Sequence, residues 1–204
     1  GNAVTPSAIT ALVAEREIAR AKAEGIEQPV IIYNLITSKA VPELVEKLGG
    51  RAVKTRVGHS FIKAVMAEES GIFGGEHSAH YYFKDFFNAD TGMLAAMHVL
   101  AALGGGNQAL SEISASYSPY VASGEINSEI EDKAAAVDRV RAHYAGAPVE
   151  VEDSDGTTFT HTEEGWWANL RPSNTEPFLR LNLEAPDIPT MERERDENPA
   201  LVRQ

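Results

Sequence analysis

Residues 171–177 read Arg-Pro-Ser-Asn-Thr-Glu-Pro, which sets a guanidinium beside hydroxyls and an amide in one short run. Apolar stretches flank it, "GWWANL" before and "PFLRLNLEA" after, so the run reads as the connection of a β-hairpin. Pro172 removes one donor and fixes its own φ. Asn174 tolerates left-handed backbone, and successive N–H groups in such a turn can face inward as an anion nest. Ser173 and Thr175 supply hydroxyls, and Arg171 adds a planar fork matched to paired oxygens. The chemistry on offer is phosphate binding by Arg171, Ser173, Asn174 and Thr175. A polar turn with a solvated arginine uses the same residue types, so the local pattern leaves both readings open.

A second stretch, "GGEHSAH", runs from Gly74 to His80. Glu76, Ser78 and His80 alternate, so on extended backbone their side chains would share one face. A carboxylate beside a hydroxyl can hold vicinal sugar hydroxyls, because the carboxylate accepts both protons; an exposed strand end would look the same. The paired glycines point to close backbone approach or a sharp turn. Upstream, "RVGHSFIK" places His59 at the start of a helix, where an imidazole can face a bound anion or serve in capping and packing. Two other constellations lead nowhere. His77 and His80 lack a third ligand at metal spacing, and the acidic "EVEDSDG" lacks the ordering of a calcium loop.

These residues need elements to position them. "TPSAITALVAEREIARAKAEG" predicts a helix with Thr5 as N-cap, Pro6 in its first turn and Gly25 as its stop. "PVIIYNL" and "RAVKTR" read as strands, and "SKAVPELVEKLGG" and "SFIKAVMAEESG" as helices. This alternation argues for an α/β layer with a partly parallel sheet. "DTGMLAAMHVLAALGG" reads as a helix with Met93, Leu94, Met97 and Leu100 on its apolar side, and "NQALSEISASY" as a further one. Residues 123–133, "SGEINSEIEDK", form a linker or an edge segment. Beyond them come a helix and four strand-like runs, the first pair joined across Ser154-Asp155-Gly156. The tail suggests a short helix broken near Pro199. The expected architecture is an α/β mixed-sheet domain over residues 1–125, then a smaller α+β domain with an antiparallel sheet over 126–204.

Composition narrows the function classes. The 204 residues carry a net charge of −12 and no cysteine, which excludes disulfides, thiolate metal sites and cysteine nucleophiles. No positive stripe is present to displace counterions from a nucleic acid, and no apolar run is long enough to span a membrane. Neither class of partner is expected, and the cytoplasm is the default compartment. An anion must therefore be bound against the overall field, by local arginines and backbone N–H groups.

Taken in order along the chain, "VGHSFIK", "GEHSAH", "RPSNTEP" and "LNLEA" resemble the α-D-phosphohexomutase superfamily. Asn174 and the Ser78-Ala79-His80 ending favour its phosphomannomutase/phosphoglucomutase branch. Phosphoglucosamine mutases usually carry Gly in place of Asn174 and Gln in place of His77. The resemblance implies a chain corresponding to the last two of four domains. The first domain's nucleophilic serine segment, of Thr-Ala-Ser-His-Asn-Pro type, and the second's magnesium loop, of Asp-Gly-Asp-x-Asp-Arg type, have no counterpart here. It implies a parent enzyme that interconverts hexose 6- and 1-phosphates through a 1,6-bisphosphate and a phosphoserine. Magnesium and a bisphosphate activator would serve that parent, and neither is expected to be bound by these residues. Partners would be hexose phosphates and the missing N-terminal domains. By the same resemblance Arg171, Ser173, Asn174 and Thr175 cradle the phosphate that is not reacting, Glu76 and Ser78 hold ring hydroxyls, and His80 and His59 line the cleft. The chain alone is expected to be inactive. A phosphoglucosamine mutase fragment and a stand-alone sugar-phosphate-binding module are the alternatives. One departure concerns charge: many relatives carry a basic phosphate-binding residue where Ile36 stands, with Lys39 only nearby.

Overall fold

A computed structural model describes residues 3–173 and 176–203. The chain divides into two compact units, Gly1–Pro119 and Tyr120–Gln204.

The first unit opens with helix α1 (Pro6–Ala23), started as the sequence predicts: Thr5 Oγ1 accepts from the Ala8 N–H at 3.2 Å, and Pro6 occupies the first turn. There follow β1 (Val30–Asn34), α2 (Ala40–Lys47), β2 (Arg51–Thr55), α3 (His59–Glu68) and β3 (Phe73–Gly75). Next come β4 (Tyr81–Phe83), a 3₁₀ turn (Lys84–Phe86), β5 (Ala89–Asp90), α4 (Gly92–Gly104) and α5 (Leu110–Ser116). The sheet runs β2-β1-β3-β4-β5. Its first three strands are parallel, joined by helical crossovers, and the last two return antiparallel. Both faces are covered, which is why β1 is apolar without alternation. Ile31 packs with Leu12, Val13, Ile18, Phe73 and Phe83 on one side. Ile32 packs with Ile62, Met66 and Tyr82 on the other.

Two glycine-rich points fix the site's geometry. A Cβ on Gly75 would lie 2.4 Å from the Thr10 side chain, which is itself fully buried, so β3 passes close against α1. Gly58, just before α3, has φ +131, a backbone region that side chains rarely enter.

The apolar side of α4 differs from expectation. Met93, Met97 and Leu100 are exposed, while Leu94, Ala95, Ala102 and Leu103 pack on the core. The helix is apolar nearly all round, so its periodicity does not choose a face.

The second unit contains β6 (Val121–Glu129), α6 (Lys133–His143), β7 (Val149–Asp153), β8 (Thr157–His161), β9 (Trp167–Pro172), β10 (Phe178–Ala185) and α7 (Ile188–Val202). Its antiparallel sheet runs β6-β10-β9-β8-β7. Leu179, Leu181 and Leu183 alternate along β10 and meet Phe159, Trp166, Ala136, Val140 and Met191 in one core. Of the two readings of residues 123–133, the edge segment is the one realised, since β6 pairs with β10 from Val121 to Glu129. The units meet before this strand, at Pro119 and Tyr120, whereas composition alone divides the chain at 125 and 126. Dividing there would cut a continuous ladder. α7 is not broken at Pro199 and continues to Val202. Buried Asn198 donates to the Tyr144 hydroxyl and the Glu194 carbonyl, and Val202 is buried, so packing holds the turn that Pro199 weakens. Among the described residues no helix is long and apolar enough to cross a membrane.

Candidate functional site

In the first unit the β3–β4 connection closes as a tight turn rather than an extended segment. The Glu76 N–H donates to the His80 carbonyl at 3.0 Å and the Ala79 N–H to the Glu76 carbonyl at 3.1 Å, with Ala79 at φ +66. Glu76, Ser78 and His80 converge nonetheless. With Gly58, His59, Lys63, Tyr82 and Asp90 they line a cavity of about 370 Å³. His77 faces elsewhere, its Nδ1 lying 3.3 Å from Ser7 Oγ on α1.

Glu76 is only 2 % exposed. Burying a carboxylate is costly unless it is hydrogen-bonded, and here donors surround it. Tyr82 donates its hydroxyl to Oε1 at 2.8 Å, while Ser78 Oγ and Asn34 Nδ2 reach Oε2 at 3.3 and 3.4 Å. Thr37 donates to Asn34 Oδ1 at 2.7 Å, which turns the amide so that its NH₂ faces Glu76. Burial, and then the bond to Glu76, push the Tyr82 hydroxyl far above the ordinary tyrosine range, so it remains a donor. The carboxylate is thus held in one orientation, with a lone-pair position on Oε1 not taken by these donors.

The other walls come from α3 and β5. His59 and Lys63 stand one turn apart on α3, on the same side of the helix. His80 Nδ1 lies 2.6 Å from Asp90 Oδ2. Lys63, Tyr82 and Asp90 are additions to the sequence-predicted set. Tyr82 continues the alternation of Glu76, Ser78 and His80, and Lys63 sits at helical spacing from His59, so both carry a sequence signal. Asp90 carries none, because its place follows from strand pairing. Ile36 is buried, and Lys63 rather than Lys39 is among the cavity's lining residues.

In the second unit β9 extends through Pro172, so Arg171 is a strand residue paired opposite Arg180 rather than part of the turn. Arg180 is neutralised by Glu176 at 2.8 Å and Glu125 at 3.5 Å. Among the described residues Arg171 has no ion-pair partner, and its buried Nε has no acceptor. Ser173 closes the turn, its N–H donating to the Phe178 carbonyl at 2.9 Å and its Oγ accepting from the Glu176 N–H at 3.2 Å. Lys133, the first residue of α6, donates to the Ser173 and Glu176 carbonyls at 3.3 and 3.0 Å. That clamp was not predicted from sequence. Asn174 and Thr175 lie outside the described residues. Gly156 (φ +74) lets the β7–β8 turn sit against β9: a Cβ there would be 2.8 Å from Arg171 Cα.

Among the described residues no three histidine, aspartate or glutamate side chains converge as a metal site. The magnesium implied by the resemblance therefore finds no donor set among the described residues.

Comparison with known proteins agrees with both halves. Residues 5–120 match the family described as phosphoglucomutase/phosphomannomutase, alpha/beta/alpha domain III, and residues 125–200 match the phosphoglucomutase/phosphomannomutase C-terminal domain. A phosphomannomutase of Methanocaldococcus jannaschii is 40% identical over 202 residues, covering 99% of this chain and 43% of the relative. One from Escherichia coli is 37% identical over 183 residues, covering 89% and 38%. A phosphoglucomutase/phosphomannomutase family protein from Burkholderia thailandensis superposes on the whole chain with a TM-score of 0.81 at 25% identity, over 42% of its own length. The open form of the Paramecium phosphoglucomutase pp63/parafusin shares the fold, with a TM-score of 0.72 at 16% identity, over 98% of this chain and 41% of its own. The chain spans about two fifths of the length of these curated relatives. It belongs to the phosphoglucomutase/phosphomannomutase family, of which it carries domain III and the C-terminal domain.

Proposed function

We propose that these residues supply the sugar-binding and distal-phosphate-binding parts of a phosphomannomutase/phosphoglucomutase, an enzyme interconverting hexose 6-phosphate and hexose 1-phosphate. The observation that carries this is the convergence of Glu76, Ser78, His80 and His59 on one cavity, with Glu76 held rigidly by Tyr82 and Asn34. Glu76 accepts a hydrogen bond from a ring hydroxyl, and Ser78 adds a group that both donates and accepts. Lys63 gives the cavity a positive side. In the C-terminal unit Arg171, its fork unpaired among the described residues, grips a phosphate together with Ser173, Asn174 and Thr175.

Binding a substrate by its ring and its unreactive phosphate lets remote contacts position the reacting end. The phosphoryl-transferring serine and the magnesium site belong, in this proposal, to the part of the polypeptide beyond these 204 residues. The test is calorimetric titration of the complete polypeptide with mannose 1-phosphate. Arg171→Ala removes a charge-assisted phosphate bond and is expected to weaken binding by about 1.5–3 kcal/mol. Glu76→Gln is expected to weaken it too, with inorganic phosphate affinity unchanged. Wild-type affinity in both variants would refute the assignment.

A further inference from the structure

His80 is a wall of the cavity whose chemical state is set by a neighbour. Its Nδ1 lies 2.6 Å from Asp90 Oδ2, and a carboxylate only accepts, so the proton in that bond sits on Nδ1. The second carboxylate oxygen is also committed. Asp90 Oδ1 accepts the backbone N–H of Tyr81, the residue after His80, at 2.9 Å. The β4–β5 ladder holds this frame, with Tyr82 opposite Asp90 and the Thr91 N–H donating to the Tyr81 carbonyl at 2.9 Å. Carboxylate, peptide and imidazole therefore close a small ring of bonds with one arrangement of protons. Nε2 has no protein partner among the described residues.

We infer that Asp90 is a positioning residue that holds the His80 ring with its proton on Nδ1, leaving Nε2 to accept a proton-bearing group of the ligand. Resting on the sugar reading of the cavity, this makes Glu76 and His80 a pair of acceptors on one wall of the site. Glu76 and His80 both ask for donors, and Ser78 adapts to either. The ligand class that suits it carries adjacent free hydroxyls on one face, and an analogue lacking one of them leaves His80 unpaired.

The bond geometry gives a discriminating variant. In Asp90→Asn the side-chain carbonyl must still accept the Tyr81 N–H, so the NH₂ turns toward His80 Nδ1. The ring must then accept at Nδ1 and carry its proton on Nε2, the reversal that an aspartate-to-asparagine change produces in a catalytic triad.

Two-bond ¹⁵N–¹H correlation spectra of the histidine rings, recorded on the chain at alkaline pH, read the tautomer directly. The expected result is His80 in the Nδ1–H form, switching to Nε2–H in Asp90→Asn, with mannose 1-phosphate affinity falling about tenfold as a donor replaces an acceptor. An Nε2–H ring in the unsubstituted chain would overturn the inference whether or not the variant folds. So would an unchanged tautomer in a folded Asp90→Asn. If the tautomer is as expected but mannose 1-phosphate leaves residues 76–80 undisturbed, the sugar reading is what fails.

Discussion

At the scale of single residues, the site depends on holding a buried carboxylate still. Tyr82 is fully buried and donates the shortest bond that Glu76 receives. Tyr82→Phe keeps the ring's packing and deletes that donor alone. It is expected to cost about 1.5–3 kcal/mol in urea unfolding, the range for hydrogen bonds to charged groups. A cost indistinguishable from zero would mean that Glu76 is not held by this bond. Sequence made much of this chemistry legible. The spacing of Glu76, Ser78 and His80 placed them on one face, and the cavity unites them with His59. What was illegible arose from distance in the chain. Asn34, itself oriented by Thr37, reaches Glu76 across the parallel sheet, Asp90 reaches His80 across a β-ladder, and Lys133 reaches the β9–β10 turn from α6. No local pattern encodes such meetings.

At the scale of elements, the buried strands and their crossover helices followed from hydrophobic runs and caps. The departures share a physical cause, namely tertiary packing outweighing local preference. α4 is too uniformly apolar for periodicity to pick its buried face, β6 is polar enough to resemble a linker yet pairs with β10 on both sides of a bulge, and α7 carries a proline through its last turns. One element pair has an acid-sensitive joint. His98 on α4 stacks on Phe83 of β4 at 5.7 Å between centroids, and its Nε2 lies 3.4 Å from Glu17 on α1. Burial holds its pKa below the ordinary histidine value, with Arg16 and Arg20 adding to the effect and Glu17 opposing it. A group whose folded pKa is lowered contributes full stability above its unfolded value. That contribution declines as pH falls below about 6.5 and is spent once pH has dropped past the folded value. Thermal melts of the chain are therefore expected to lose stability across this window, and His98→Leu is expected to flatten the slope there. A slope unchanged in the variant would place the acid sensitivity elsewhere.

At the scale of the whole molecule, a net charge of −12 makes any anion site a local achievement. Arg171, unpaired among the described residues and opposite a neutralised Arg180, has the character this requires. Each of the two units has its own core, and the proposed function assigns hydroxyl acceptors to one and a phosphate clamp to the other. Neither supplies a metal donor set among the described residues. With the phosphoryl-transferring serine assigned by the proposal to another part of the polypeptide, the chain is expected to show no turnover of mannose 1-phosphate in a coupled assay with magnesium and bisphosphate supplied, and measurable turnover would contradict that division of labour. The central claim is tested most directly by amide chemical-shift mapping on the ¹⁵N-labelled chain, titrated in parallel with inorganic phosphate and with mannose 1-phosphate. Phosphate is predicted to shift only the turn around Arg171 and Ser173, and the sugar phosphate to shift that turn and residues 76–80 as well. Sugar-phosphate shifts confined to any other surface would contradict the account.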